Sequence, residues 1–173
     1  MKAAIGADHR GTDMLKHITL LLQQQGCHVI EMGPSQCTGR TCDYPDVAYP
    51  VASAVSRGEA DFGILVCGTG IGMSIAANKV PNVRAALVHD EISAELARRH
   101  NDANVLCLAA DLLGMRVIER IIQTWLRTEF EGGRHARRVN KILAIEQGRS
   151  PEEVSDPALQ ESATPPPQQT TSP

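Results

Sequence analysis

The sequence predicts an α/β fold: a three-layer α/β/α sandwich on a five-stranded parallel sheet, with an extra C-terminal helix. Three observations carry this. Short apolar stretches alternate with helical patterns from the first residue onwards. Phe62-Gly63-Ile64-Leu65-Val66-Cys67 is a continuous apolar run, the mark of a strand covered on both faces. The length of 173 residues suits one domain with a real core.

The elements follow in order. Ala3 to Ala7 is a short strand of small residues. Met14 to Gln25 is helical, because Met14, Leu15, Ile18, Leu21 and Leu22 form one stripe. Gly26 stops it, where helices commonly end. His28 to Met32 is the second strand, and 33–45, rich in Gly, Pro, Ser and Thr, is a loop. Val47 to Arg57 is the second helix, with Pro50 expected in an early turn. Phe62 to Cys67 is the third strand and Ile71 to Val80 the third helix. Arg84 to Val88 is strand four, Glu91 to His100 a helix, Val105 to Leu108 strand five, and Gly114 to Thr128 the next helix. Beyond the breaker Gly132-Gly133, a last helix runs from Arg134 to near Glu146. Its apolar residues Val139, Ile142, Leu143 and Ile145 need a surface to cover, on this chain or another. Right-handed crossovers between such units give a doubly wound, Rossmann-like sheet. Residues 1–149 are expected to form this domain, and 150–173 a disordered tail.

Composition narrows the function. The tail holds six of the ten prolines, four acids and no Lys or Arg, leaving a body of 17 basic and 16 acidic residues. Such a balance, with 3% aromatic residues, argues against a nucleic-acid surface. No run approaches the roughly 20 apolar residues of a membrane span. The odd cysteine count and the absence of a leader pattern point to a reducing cytosol. Cys37 and Cys42 have neither CxxC spacing nor a paired His motif, so a zinc site is not indicated.

Ligands of such sheets bind at the carboxyl ends of the strands. That rule selects Asp8-His9, Cys67 to Gly72, His89-Asp90 and Ala109 to Asp111. The loop Cys67-Gly68-Thr69-Gly70-Ile71-Gly72 can bring backbone N–H groups close to an anion at a helix start. It lacks the Lys of a Walker A loop, and its third glycine falls one position early for a dinucleotide fingerprint. Asp90, 20 residues after Gly70, keeps the dinucleotide reading open as a ribose-binding acid. A loop that is glycine-rich merely for tight packing is the plain alternative. Cys67 is either a small buried hydrophobe or a reactive thiol set beside N–H groups. His100 can act as an acid or base near neutral pH. Arg134 and Arg138 share one helical face, as a phosphate clamp or as a solvated surface.

Several motifs together resemble the ribose-5-phosphate isomerase B family, which also includes allose- and galactose-6-phosphate isomerases. They are Gly6-Ala7-Asp8-His9-Arg10-Gly11, Asp43-Tyr44-Pro45, Cys67 to Gly72, Ala76-Ala77-Asn78-Lys79, Arg99 to Asn104, and Gly132-Gly133-Arg134-His135. The resemblance covers residues 2 to 149. It implies an α/β/α enzyme of the cytoplasm with no cofactor or metal, a sugar-phosphate substrate, and homodimers or tetramers with sites at the subunit boundary. It implies Cys67 as the base between C2 and C1, and His100, helped by Asp8, as the ring-opening group. Gly68, Gly70, Ile71 and Gly72 would line the oxyanion site with their backbone. Thr69 and Asn101 would hold hydroxyls, Tyr44 would line the site, and His9, Arg134 and Arg138 would grip phosphate. Relatives often carry arginine where this chain has Asp111, and an aspartate there is expected to repel phosphate. D-ribose 5-phosphate is the expected substrate. Another aldose phosphate, or a non-catalytic dinucleotide- or sugar-phosphate-binding module, is the alternative.

Overall fold

A computed structural model describes residues 1–33 and 41–154 of the protein. The elements run β1 (Lys2–Ala7), α1 (Thr12–Gln24), β2 (His28–Glu31), α2 (Tyr44–Ser56), β3 (Phe62–Cys67), α3 (Ile71–Ala77), β4 (Ala85–Leu87), α4 (Glu91–Asn101), β5 (Val105–Ala109), α5 (Met115–Arg127) and α6 (Arg134–Glu146). The strands form one parallel sheet in the order β2-β1-β3-β5-β4. The order reverses between β1 and β3, so their carboxyl ends border the crevice where such sheets bind ligands.

Alternate residues of each strand serve opposite layers. Ile64 and Val66 join Ile5, Leu106 and Leu108 in a core closed by Ile18 and Leu22 of α1, Ala94 of α4, and Ile118 and Trp125 of α5. Leu65 and Cys67 face the other way, against Val47 and Val51 of α2 and Met73 of α3. Helix α6 lies outside these layers on α4, burying His135, Val139 and Ala144. Ile142 and Ile145 of the same helix remain exposed. No helix among the described residues is long and apolar enough to cross a membrane.

Four details differ from expectation. Helix α2 begins at Tyr44 with Pro45 in its first turn, so Pro50 is an interior residue rather than an early one. An interior proline costs about 3 kcal/mol. Burial of Val47, Ala48, Val51, Ala52 and Ala54 at 0% exposure offsets that cost. Helix α3 stops at Ala77 because the Asn78 side chain turns to the sheet, donating to the Ala85 carbonyl and accepting from its N–H. The expected tail begins with order: Pro151–Glu153 form a 3-10 turn, and Lys141 Nζ donates to the Pro151 carbonyl at 2.9 Å. Residues 155–173 of that expected tail lie outside the described residues. Cys42 is disulfide-bonded, whereas Cys27, Cys67 and Cys107 are free thiols. Cys37 lies outside the described residues.

Candidate active site

Parallel register sets the upper half of the site. Ala7 pairs with Val66, so Asp8 and Cys67 leave adjacent strands side by side. Asp8 is buried, and its Oδ1 accepts the Arg10 N–H at 2.9 Å, which tightens the turn carrying exposed His9. On the other side Cys67 pairs with Ala109, and the Ala110 and Asp111 N–H groups donate to the Cys67 and Gly68 carbonyls.

The loop after β3 wraps back onto its own cysteine. The Gly70 N–H donates to the Cys67 sulfur at 3.1 Å. Gly70 has φ 73°, and a Cβ there would lie 2.5 Å from Leu87 Cδ1 and 3.1 Å from the Leu108 backbone. Only glycine combines that left-handed φ with that approach without strain. Thr69 Oγ1 accepts the Ile71 N–H at 3.4 Å, opening α3. Tyr44 lies over the next turn, for a Cβ on Gly72 would be 2.7 Å from its ring. Asp8, His9, Tyr44, Cys67, Gly68, Thr69, Gly70, Ile71 and Gly72 therefore share one end of the sheet. Cys107, one strand over, is fully buried, and burial pushes its thiol pKa up, with the Cys67 charge adding to the effect. It is a core residue.

His100 and Asn101 lie at the opposite end. Helix α4 leads back from the carboxyl end of β4 to the amino end of β5, and His100 is in its last turn. Arg84 Nε, just before β4, donates to the Asn101 and Asp102 carbonyls, and the Gly63 N–H at the start of β3 donates to the Asn104 carbonyl. The length of β3, about 17 Å at roughly 3.3 Å per residue, separates that end from Cys67. Arg134 and Arg138 go with His100, because the His100 ring stacks on His135 of α6 with centroids 4.0 Å apart. His100 and Asn101 are thus not beside the Cys67 loop of their own chain. A cleft of about 430 Å³, lined by Arg84, Ala86, Asn101, Ile142, Ile145 and Glu146 among others, runs along this end.

The profile of the Ribose/Galactose Isomerase family matches residues 3–142, spanning both halves of this arrangement. The chain belongs to that family. It is 46% identical over 149 residues to ribose-5-phosphate isomerase B of Escherichia coli, covering 86% of this chain and 99% of that one. It is 47% identical over 142 residues to D-erythrulose-4-phosphate isomerase of Pectobacterium atrosepticum, covering 82% and 93%. The structure of Clostridium thermocellum ribose-5-phosphate isomerase B superimposes with a TM-score of 0.83 at 47% identity, covering 86% and 99%.

Three side-chain relationships in this family member escape sequence reasoning. Asp111 does not stand alone at the rim of the loop. Its Oδ2 accepts from Nε and Nη2 of Arg10 at 3.1 and 2.7 Å, so the expected bare repulsion of phosphate is answered by a guanidinium. Asp90, spaced as a ribose-binding acid would be, has a local partner. It caps α4, accepting the Ser93 N–H at 2.6 Å, and that backbone bond holds its carboxyl below the usual carboxylate range. His135, buried at 2% exposure, supports His100; its Nε2 accepts from Arg134 Nε at 3.3 Å. His100, Glu131 and His135 bring one ligand atom each within 4.8 Å of one another, a set that could hold a metal ion. The surroundings oppose it. Glu131 Oε2 already accepts from Nε and Nη2 of Arg99, and His135 Nε2 accepts from Arg134 Nε, which brings a guanidinium charge to the place of the ion. Two rings stacked within 3° of parallel also aim their lone pairs along parallel planes rather than at one point.

Proposed function

We propose that the chain is an aldose–ketose isomerase that interconverts D-ribose 5-phosphate and D-ribulose 5-phosphate. The observation that carries the reading is the Cys67 sulfur at the carboxyl end of β3, accepting a backbone N–H within a glycine loop. Isomerisation needs a base, stabilisation of a developing oxyanion, and a way to open the sugar ring. Cys67 removes the C2 proton and returns it to C1 through a cis-enediolate. N–H groups of 68–72 stabilise that oxyanion. Loss of one such donor typically costs about 2.7–4 kcal/mol in the barrier. Asp8 stands next to Cys67 and assists ring opening, with His100 as the acid–base group. Thr69 and Asn101 hold hydroxyls, and Tyr44 closes the side of the pocket. His9, Arg134 and Arg138 grip the phosphate.

One chain cannot assemble this set, because Cys67 and His100 lie at opposite ends of the sheet. Two copies can. We propose a homodimer in which His100, Asn101, Arg134 and Arg138 of one chain complete the Cys67 loop of the other. Exposed Ile142 and Ile145 beside the cleft offer that partner an apolar seat.

The tetrulose-phosphate activity in the name of one relative supports a second reading, a shorter sugar phosphate on the same machinery. Assay of four-, five- and six-carbon aldose phosphates separates the two. Highest kcat/KM on ribose 5-phosphate is expected. Highest kcat/KM on a four-carbon phosphate would replace the substrate, and turnover of none would overturn the enzyme reading.

A further inference from the structure

Asp111 and Arg10 follow different strands, β5 and β1, and meet over the loop that holds Cys67. A Cβ on Gly68 would lie 2.7 Å from Asp111 Oδ2 and 3.7 Å from Arg10 Nε, so both groups cover the first turn of that loop. Arg10 directly follows His9, and its own N–H is tied to buried Asp8. Their side chains are 55% and 38% exposed, and so open an ion pair contributes little to stability. Its geometry has another use. The carboxylate takes Nε–H and one Nη2–H, which fixes the guanidinium plane. Three of the five N–H groups are left without a protein acceptor among the described residues.

We infer that Arg10, positioned by Asp111, binds the substrate's phosphate beside His9 at the Cys67 end of the site. The inference rests on the isomerase reading for the identity of the anion. A free arginine on a surface turn would lose much side-chain freedom on meeting a ligand. Here Asp111 has already restrained it. The carboxylate holds the Nε and Nη2 edge, which leaves both Nη1 N–H groups and the second Nη2 N–H to meet an approaching dianion. Arg134 and Arg138 lie at the far end of their own chain. In an isolated chain Arg10 and His9 are therefore the phosphate-directed pair at this end.

The test measures KM for ribose 5-phosphate, and the dissociation constant of inorganic phosphate by calorimetry, in the full-length native protein, Arg10→Ala, Asp111→Ala and the double variant. Arg10→Ala should weaken both constants by about tenfold or more, with kcat falling less than KM rises. The decisive sign is that of Asp111. In the native background Asp111→Ala should weaken phosphate binding, because the fork loses its anchor. In the Arg10→Ala background the same change should strengthen it, because a bare carboxylate is removed. A surface ion pair with a merely structural role would give no such reversal. KM and phosphate affinity within twofold of native in Arg10→Ala would overturn the inference while leaving the isomerase reading intact. A native protein that turns over no sugar phosphate would sink the isomerase reading instead. Calorimetry with inorganic phosphate would then still decide whether Arg10 binds the anion.

Discussion

The His100 ring lies on the His135 ring with centroids 4.0 Å apart and planes within 3° of parallel. Two stacked imidazoles resist being charged together. Burial first, and the neighbouring His100 charge second, lower the pKa of His135 below its ordinary 6.5. The unfolded chain therefore binds more protons than the fold at pH just below 6.5, and the fold loses stability as pH drops through that range. Thermal melting from pH 7.5 to 5 should show this loss, with a shallower slope in His135→Gln. Equal slopes in the two proteins would contradict the assignment.

Cys67→Ser should nearly abolish deuterium exchange at C2 of ribose 5-phosphate in heavy water. Phosphate binding should survive, since the sulfur serves the proton and not the anion. The free thiol Cys107 provides the control: it is fully buried, and its raised thiol pKa disfavours the thiolate. Exchange persisting in Cys67→Ser would point to another base.

Ring opening and proton transfer sit on different chains in this account. His100→Asn should lower kcat/KM for ribose 5-phosphate, which is mostly cyclic, more than kcat/KM for D-erythrose 4-phosphate, whose phosphorylated O4 cannot close a furanose ring. Comparable losses on the two substrates would remove His100 from ring opening.

Gly70→Ala tests the loop. Its φ of 73° and a Cβ 3.1 Å from the Leu108 backbone should cost about 1–3 kcal/mol. The N–H would also shift away from the Cys67 sulfur, lowering kcat. Gly148→Ala shares the strain, with φ 70°, but has open space around it, and should lower stability alone. Equal activity in the two variants would show that the Gly70 N–H does not matter.

Much of this was legible from residue patterns. The run Phe62–Cys67 carries its own burial on both faces, and the helical stripe of α1 assigns its inner side. The Cys67 loop stands out because glycine spacing and strand position coincide. Other features depend on distance in space. Pro50 reads as an early-turn residue because local propensity cannot see that α2 starts at Tyr44 and buries its apolar face around the proline. Asp90 imitates a ribose ligand by sequence position, while its carboxylate serves the local N-cap. Arg10 and Asp111 are 101 residues apart, and no periodicity joins them. His100 looks like a neighbour of Cys67 until the direction of α4 places it at the other end of the sheet.

That placement gives the account its most direct test. Cys67→Ser and His100→Asn each disable every site in their own homodimers, but they damage different chains of a shared site. Mixed after reversible dissociation, equal amounts of the two inactive proteins should pair at random. Half the dimers would then be mixed, each with one intact site, and about a quarter of native activity should return. If both halves of the site came from a single chain, every site in a mixed dimer would carry one lesion. Confirmed subunit exchange with no recovered activity would contradict the shared site.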